Sequence, residues 1–178
     1  MNYFDFYDIA ETFKPDSANL KKQFYALSKK YHPDFFANEN EARQQEILEL
    51  STLNNKAYQT LSDANKLSAY ILKQHGLLNE GAKPQLPADF LMEMMEINER
   101  LMEIETADQL AAITSEVIAI EGDIVDEMAA LTDGYEDLDD SAKESRLIDI
   151  ANIYYRQKYL LRIKDSLNTF AARFGAIV

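Results

Sequence analysis

Apolar residues recur along this chain at helical spacing. Leu20, Phe24, Leu27 and Tyr31 fall at offsets of four, seven and eleven, which is one face of a helix, while Lys22, Ala26 and Lys29 fall on the other. Lys14-Pro15-Asp16-Ser17 precedes that helix as a break followed by an N-cap, with Asp16 or Ser17 accepting from its free N–H groups. A second pattern begins near Glu41, and Ile47, Leu50, Asn54, Ala57, Tyr58 and Leu61 give it a matching inner face. Ser62-Asp63 closes it, and a shorter helix is predicted over about Lys66 to Gln74, ending at His75-Gly76 with a left-handed glycine. Asn2 to Ala10 is short and aromatic, enough for a first helical turn or two. Beyond a Gly- and Pro-bearing stretch over 76–88, Phe90, Met94, Ile97, Leu101 and Ile104 form one seam. Leu110, Ile113, Val117, Ile120, Ile124 and Leu131 form another, and a third helical segment spans about Ser141 to Phe174. The pattern predicts an all-α chain: a helical hairpin, a hinge over 76–88, and a three-helix bundle.

The tip of the hairpin carries the most informative residues. Pro33 lacks an N–H and restricts the residue before it, so the first long helix must stop at about Tyr31. His32-Pro33-Asp34 therefore sits in a surface connection, presenting an imidazole, a rigid kink and a carboxylate together. That arrangement reads as a docking device. The plainer reading is that His32 bonds the last free carbonyls of the helix and Asp34 starts a turn.

Charge adds a direction. Over its 178 residues the chain has a formal net charge of −13. Residues 89–149 hold 19 Asp/Glu against three Lys/Arg, whereas residues 11–34 hold five Lys against three acids. A negative overall field argues against non-specific nucleic-acid binding. The basic patch beside His32 points instead to an acidic protein surface, and Lys22, Lys29 and Lys30 are its candidate residues. No apolar run is long enough to span a bilayer, so no membrane partner is expected, and no targeting segment stands out, so a cytoplasmic location is the expectation. The absence of cysteine excludes disulfides, thiolate metal sites and Cys nucleophiles.

Catalytic constellations are missing. The two histidines, His32 and His75, have Lys29 and Leu72 three residues before them, so the Glu-x-x-His pairing of a di-iron bundle is absent. No zincin motif, phosphate-cradling Gly loop or nucleophile elbow occurs. The expectation is a protein that is not an enzyme and uses no cofactor and no resident metal.

Tyr31-His32-Pro33-Asp34, followed at the right distance by Asn54-x-x-Ala57-Tyr58-x-x-Leu61-x-Asp63, resembles a J-domain over residues 1–75. Asn2-Tyr3-Phe4, Ser68-Ala69-Tyr70-Ile71-Leu72 before Gly76, and Phe90-Leu91-Met92-Glu93 are similar to the HscB branch of J-domain co-chaperones. That resemblance implies an N-terminal J-domain helical hairpin, residues 1–75, and a C-terminal three-helix bundle, residues 89–178. It implies stimulation of the ATPase of a DnaK/HscA-type heat-shock chaperone through His32, Pro33 and Asp34. It further implies that the bundle holds an IscU-like iron–sulfur scaffold protein. Phe35 stands where many J-domains carry Lys, a departure that weakens electrostatic docking.

Helical geometry supports a second binding face. Met92 lies about 200° around the helix from Phe90, so the two cannot enter the same core. Leu91, Met92, Met95, Glu96, Glu99 and Glu103 match the family's scaffold-binding positions, and Tyr159 matches an aromatic position of the same patch. Met92 and Met95 have another possible use, packing between domains. Two other functions remain open: a general J-protein with a different client, or a helical protein holding a hard cation on the carboxylates of 89–149.

Overall fold

The computed structural model describes residues 2–78 and 86–173. The helices are α1 (Tyr3–Tyr7), α2 (Ser17–Lys30), α3 (Glu41–Leu61), α4 (Ala64–Gln74), α5 (Ala88–Met102), α6 (Ala107–Thr132) and α7 (Asp140–Arg173), and no strand occurs among the described residues. The chain forms two compact units: Met1–Gly76 with Asp133–Leu138, and Leu77–Thr132 with Asp139–Val178. Most of the hinge expected over 76–88 falls on residues 79–85, and the expected helix end at Phe174 also falls outside the described residues.

In the first unit, α1 opens with a reciprocal capping box between Asn2 and Asp5 and closes at Asp8, which adopts the left-handed conformation at φ 52°. Asp16 caps α2 by accepting from the Ala18 N–H at 3.0 Å. Asp63, read from sequence as closing α3, also opens α4 by accepting from the Lys66 N–H at 2.9 Å, so α4 starts two residues earlier than its apolar pattern indicates. Gly76, at φ 71°, ends that helix as expected.

Phe4, Tyr7, Leu20, Ile47, Ala57, Leu61, Leu67, Ile71 and Leu72 are buried in this unit. Among the described residues two polar side chains are buried with them: Ser68, which bonds back to the Ala64 carbonyl of its own helix, and Asn54, only 1% exposed. Its amide nitrogen donates to the Phe24 carbonyl at 3.1 Å and to Ser28 Oγ at 2.9 Å, and its oxygen accepts from the Tyr7 hydroxyl at 2.9 Å. Burial first, and Tyr58 second, push the Tyr7 hydroxyl far above its ordinary pKa, so it stays a donor and fixes which way the amide points. One amide thus joins α1, α2 and α3. Of the predicted α2 face only Leu20 is buried; Phe24, Leu27 and Tyr31 are half-buried.

The connection Asp133–Leu138 is acidic in sequence and contributes the buried Tyr135 to the first unit. The Tyr135 ring meets Phe13 edge-on at 5.0 Å, and its hydroxyl donates to the Glu11 carboxylate at 3.1 Å. Lys14 Nζ sits 2.8 Å from Asp133.

The second unit is built on the predicted seams. Phe90, Met94, Ile97 and Leu101 of α5 and Leu110, Ile113, Val117 and Ile124 of α6 share one core with Ile153, Leu160, Ile163 and Leu167 of α7. Ile104, Ile120 and Leu131 pack at its margin. Three ion pairs, each at 2.7 Å, link the helices: Arg100–Glu116, Arg156–Glu127 and Lys164–Glu121. A reciprocal bond between Thr106 and Gln109 starts α6.

Asn54→Ala strips partners from Tyr7, Ser28 and the Phe24 carbonyl, so urea unfolding followed on the first unit should show a loss of about 3 kcal/mol; a loss below about 0.5 kcal/mol would contradict this role. Asp133 gives a pH signature. Its hydrogen bond to Lys14, and then the Lys14 charge, hold the carboxyl below its ordinary 3.8. A carboxyl depressed on folding contributes stability above the unfolded pKa, and that contribution is lost as pH falls through the lower folded value. An NMR titration should place Asp133 below 3.8 and Lys14→Ala should move it back up; no movement would contradict the pair.

Candidate functional site

The tip of the α2/α3 hairpin is a built turn. After α2 ends, Pro33–Phe36 forms a 3-10 turn with His32 as its cap. The His32 Nδ1 accepts from the Asp34 N–H at 3.3 Å, which in the neutral ring leaves the proton on Nε2. The Asp34 carboxylate lies 3.8 Å from that Nδ1, is largely exposed, and accepts no hydrogen bond among the described residues. Behind the turn, Gln44 of α3 donates to the carbonyls of Ala37 and Glu39 at 3.1 and 2.8 Å, and the Arg43 guanidinium lies 5.5 Å from the centre of the Phe36 ring. The turn is therefore fastened to α3, and an anionic oxygen pair is held out with its acceptor capacity free.

Lys22, Lys29 and Lys30 are all exposed on α2. Lys29 and Lys30 occupy the last helical turn, where the helix dipole favours cations, and the Lys30 ammonium lies 5.1 Å over the Tyr31 ring. The sequence-predicted chaperone face is thus one continuous stretch from α2 into the turn.

On the second unit, α5 shows the two sides its spacing predicts. Phe90 is 6% exposed while Met92 and Met95 are 62% and 57% exposed. Glu96 and Glu99 are exposed along the same helix, Glu103 caps its end, and Leu91 is half-buried. Tyr159 of α7 is half-buried and meets the Phe90 ring at 6.0 Å.

Two residues outside the expected binding set, Arg156 and Glu93, lie beside this face. Arg156 binds Glu127 of α6 through both terminal nitrogens, at 2.7 and 3.1 Å, and its guanidinium lies 5.5 Å from the centre of the Phe90 ring. Glu93, with Met92, Glu96 and Arg156, lines a hollow beside the exposed methionines. The spacing of Arg156 three residues before Tyr159 was the available signal, since residues three apart share a helix face. Among the described residues no three His, Asp or Glu side chains converge as a metal site, and no helix is long and apolar enough to cross a membrane.

A short helix followed by a hairpin with His-Pro-Asp at its tip defines a J-domain, and the DnaJ domain family model matches residues 2–70. The model of the HSCB C-terminal oligomerisation domain matches residues 86–168. Among curated relatives, the iron–sulfur cluster co-chaperone protein HscB of Homo sapiens is 33% identical over 130 residues, 72% of this chain and 55% of that protein. The match therefore spans little more than half of the human relative. A co-chaperone protein HscB homolog of Vibrio cholerae is 36% identical over 65% of this chain and 68% of its own length. One from Neisseria meningitidis is 31% identical over 81% and 89%. The crystal structure of human HscB aligns with a TM-score of 0.69 at 28% identity, covering 95% of this chain and 81% of that one. The HscB structure from Vibrio cholerae aligns at 0.64 and 27%, covering 97% and 99%. This chain belongs to the HscB co-chaperone family.

Arg156→Met keeps the stem of the side chain but removes the Glu127 bonds and the charge over Phe90. Chemical denaturation should then show a loss of about 1 kcal/mol in the second unit, because a guanidinium with ordered, partly buried partners is worth more than an open surface pair. Unchanged stability would leave Arg156 without a bracing role.

Proposed function

We propose that this chain is a two-site adaptor rather than an enzyme. Residues 1–75 dock on a DnaK/HscA-type heat-shock chaperone and stimulate its ATPase, and residues 89–178 carry an IscU-like iron–sulfur scaffold protein to it. The observation that carries this reading is the Asp34 carboxylate, free of hydrogen bonds among the described residues, at the end of a fastened turn and beside a row of exposed lysines. The family supports the co-chaperone role, and the name of the human relative points to iron–sulfur assembly.

The lysines steer. Lys22, Lys29 and Lys30 bring the hairpin onto an acidic surface at long range, an effect that salt weakens. The turn then makes the specific contacts: Asp34 pairs with a cation of the chaperone, and His32 and Pro33 fix its approach. Asp34 gains from this pairing because no hydrogen-bond donor among the described residues satisfies its oxygens in the free state. The methionine and glutamate face of α5 holds the scaffold, with Leu91, Met92 and Met95 as adaptable apolar contacts and Glu96, Glu99 and Glu103 as an acidic edge. Tyr159 supports that face from α7. Joining the two sites in one chain raises the scaffold's effective concentration at the chaperone without any new contact.

Asp34→Asn keeps the shape and removes the charge; it should abolish ATPase stimulation while leaving scaffold binding intact. Full stimulation by that variant would overturn the docking role. The triple change Leu91→Ala, Met92→Ala and Met95→Ala should weaken scaffold binding at least tenfold by calorimetry, the scale of losing more than one apolar anchor. Unchanged affinity would place the scaffold elsewhere and hand this face to another client.

A further inference from the structure

The tip carries an apolar element that the lysine and aspartate chemistry does not use. Two phenylalanines come directly after Asp34, and they do different things. Phe36 is half-buried under Arg43, whereas Phe35 is 67% exposed. The Phe35 N–H donates to the His32 carbonyl at 3.1 Å inside the 3-10 turn, and its ring lies 5.5 Å from the His32 imidazole, tilted by 49°. The ring is thus held out by a fixed backbone beside the free carboxylate. Pro33 and Asp34 also border an open groove lined by Ala37, Ile47 and Leu48, and Leu48 is itself largely exposed.

A single exposed apolar side chain needs no explanation in general. Phe35 differs by continuity: its ring lies against the His32 imidazole, and the adjoining Pro33 and Asp34 border the groove, all on a turn that α3 fastens. A preorganised aromatic loses little conformational freedom on binding and contributes the area that a point charge lacks. We infer that Phe35 is an apolar anchor of the chaperone contact. The chaperone surface that receives Asp34 with a cation carries, directly beside that cation, an apolar recess that takes a phenyl ring. This rests on the docking role proposed for His32, Pro33 and Asp34. It changes the character of that contact: lysine steering fades with salt, whereas burial of a ring does not.

The test is single-turnover ATP hydrolysis by the cognate heat-shock chaperone, titrated with the full chain at low and at high salt. Phe35→Ala should raise the half-stimulating concentration roughly tenfold or more at both salt levels, the equivalent of leaving one phenyl ring unburied. Maximal stimulation at saturation should persist, because Asp34 remains. Phe35→Leu should restore most of the affinity, and Phe35→Lys should dock well at low salt and poorly at high salt. Because the ring is exposed, the thermal midpoint of each variant should match the parent chain. If Phe35→Ala titrates like the parent while Asp34→Asn is inactive, the docking role stands and the apolar anchor is overturned. If the parent chain gives no stimulation at all, both fall together.

Discussion

Two helices packed only through apolar side chains can slide against each other by a turn at modest cost, and the buried amide of Asn54 removes that freedom. Its three partners come from α1 and α2, and each pairs with a particular atom of the amide. A register slip would bury at least one polar group unpaired, which costs more than the bond contributes. The consequence reaches the functional tip, because Ser28, one of the partners, lies four residues before His32. The position of α2 along α3 is fixed within a turn of where α2 must end. Pro33 then supplies the stop, and Gln44 and Arg43 fasten the 3-10 turn to α3.

The second unit meets a different demand on α5, where one short helix fills a core with one side and, in the proposed function, offers the other to a partner. Phe90, Met94, Ile97 and Leu101 take the inner side, leaving Met92 and Met95 exposed at more than half their surface. α5 has no side-chain N-cap, so its first turn is held by packing. The Phe90 ring contacts both the Tyr159 ring and the Arg156 guanidinium of α7, and Arg156 is in turn tied to α6. The turn that carries Leu91 and Met92 is thereby braced by α7 and, through Arg156, by α6. Methionine is suited to the outer side because its flexible thioether conforms to a partner without a fixed complementary shape.

Much of this was legible in the sequence because it is local or periodic. The seams of α5 and α6, the stop before Pro33 and the opposed faces of Phe90 and Met92 follow from 3.6 residues per turn and from the chemistry of proline. Asn54 was legible as an inward position, though not as a hub, since its partners are 26 to 47 residues away. Tyr135 was missed because an acidic run hides it; its burial depends on Phe13 and Glu11, more than a hundred residues earlier in the chain. Asp63 reads equally as the end of one helix or the start of the next, and only the bond to the Lys66 N–H decides it. Arg156 was indistinguishable by composition from the other basic residues of α7. Its spacing from Tyr159 puts it on the right face of α7, but its role comes from being placed against Glu127 and Phe90 together, which that spacing does not reveal.

The central claim is that two separate surfaces of one chain act on one chaperone. The most direct measurement is the rate of single-turnover ATP hydrolysis by the cognate chaperone with this chain, the iron–sulfur scaffold protein, or both. The account predicts that the chain alone stimulates and that the scaffold amplifies the stimulation beyond the product of their separate effects. Stimulation indifferent to the scaffold would contradict the coupling and leave only the hairpin tip at work.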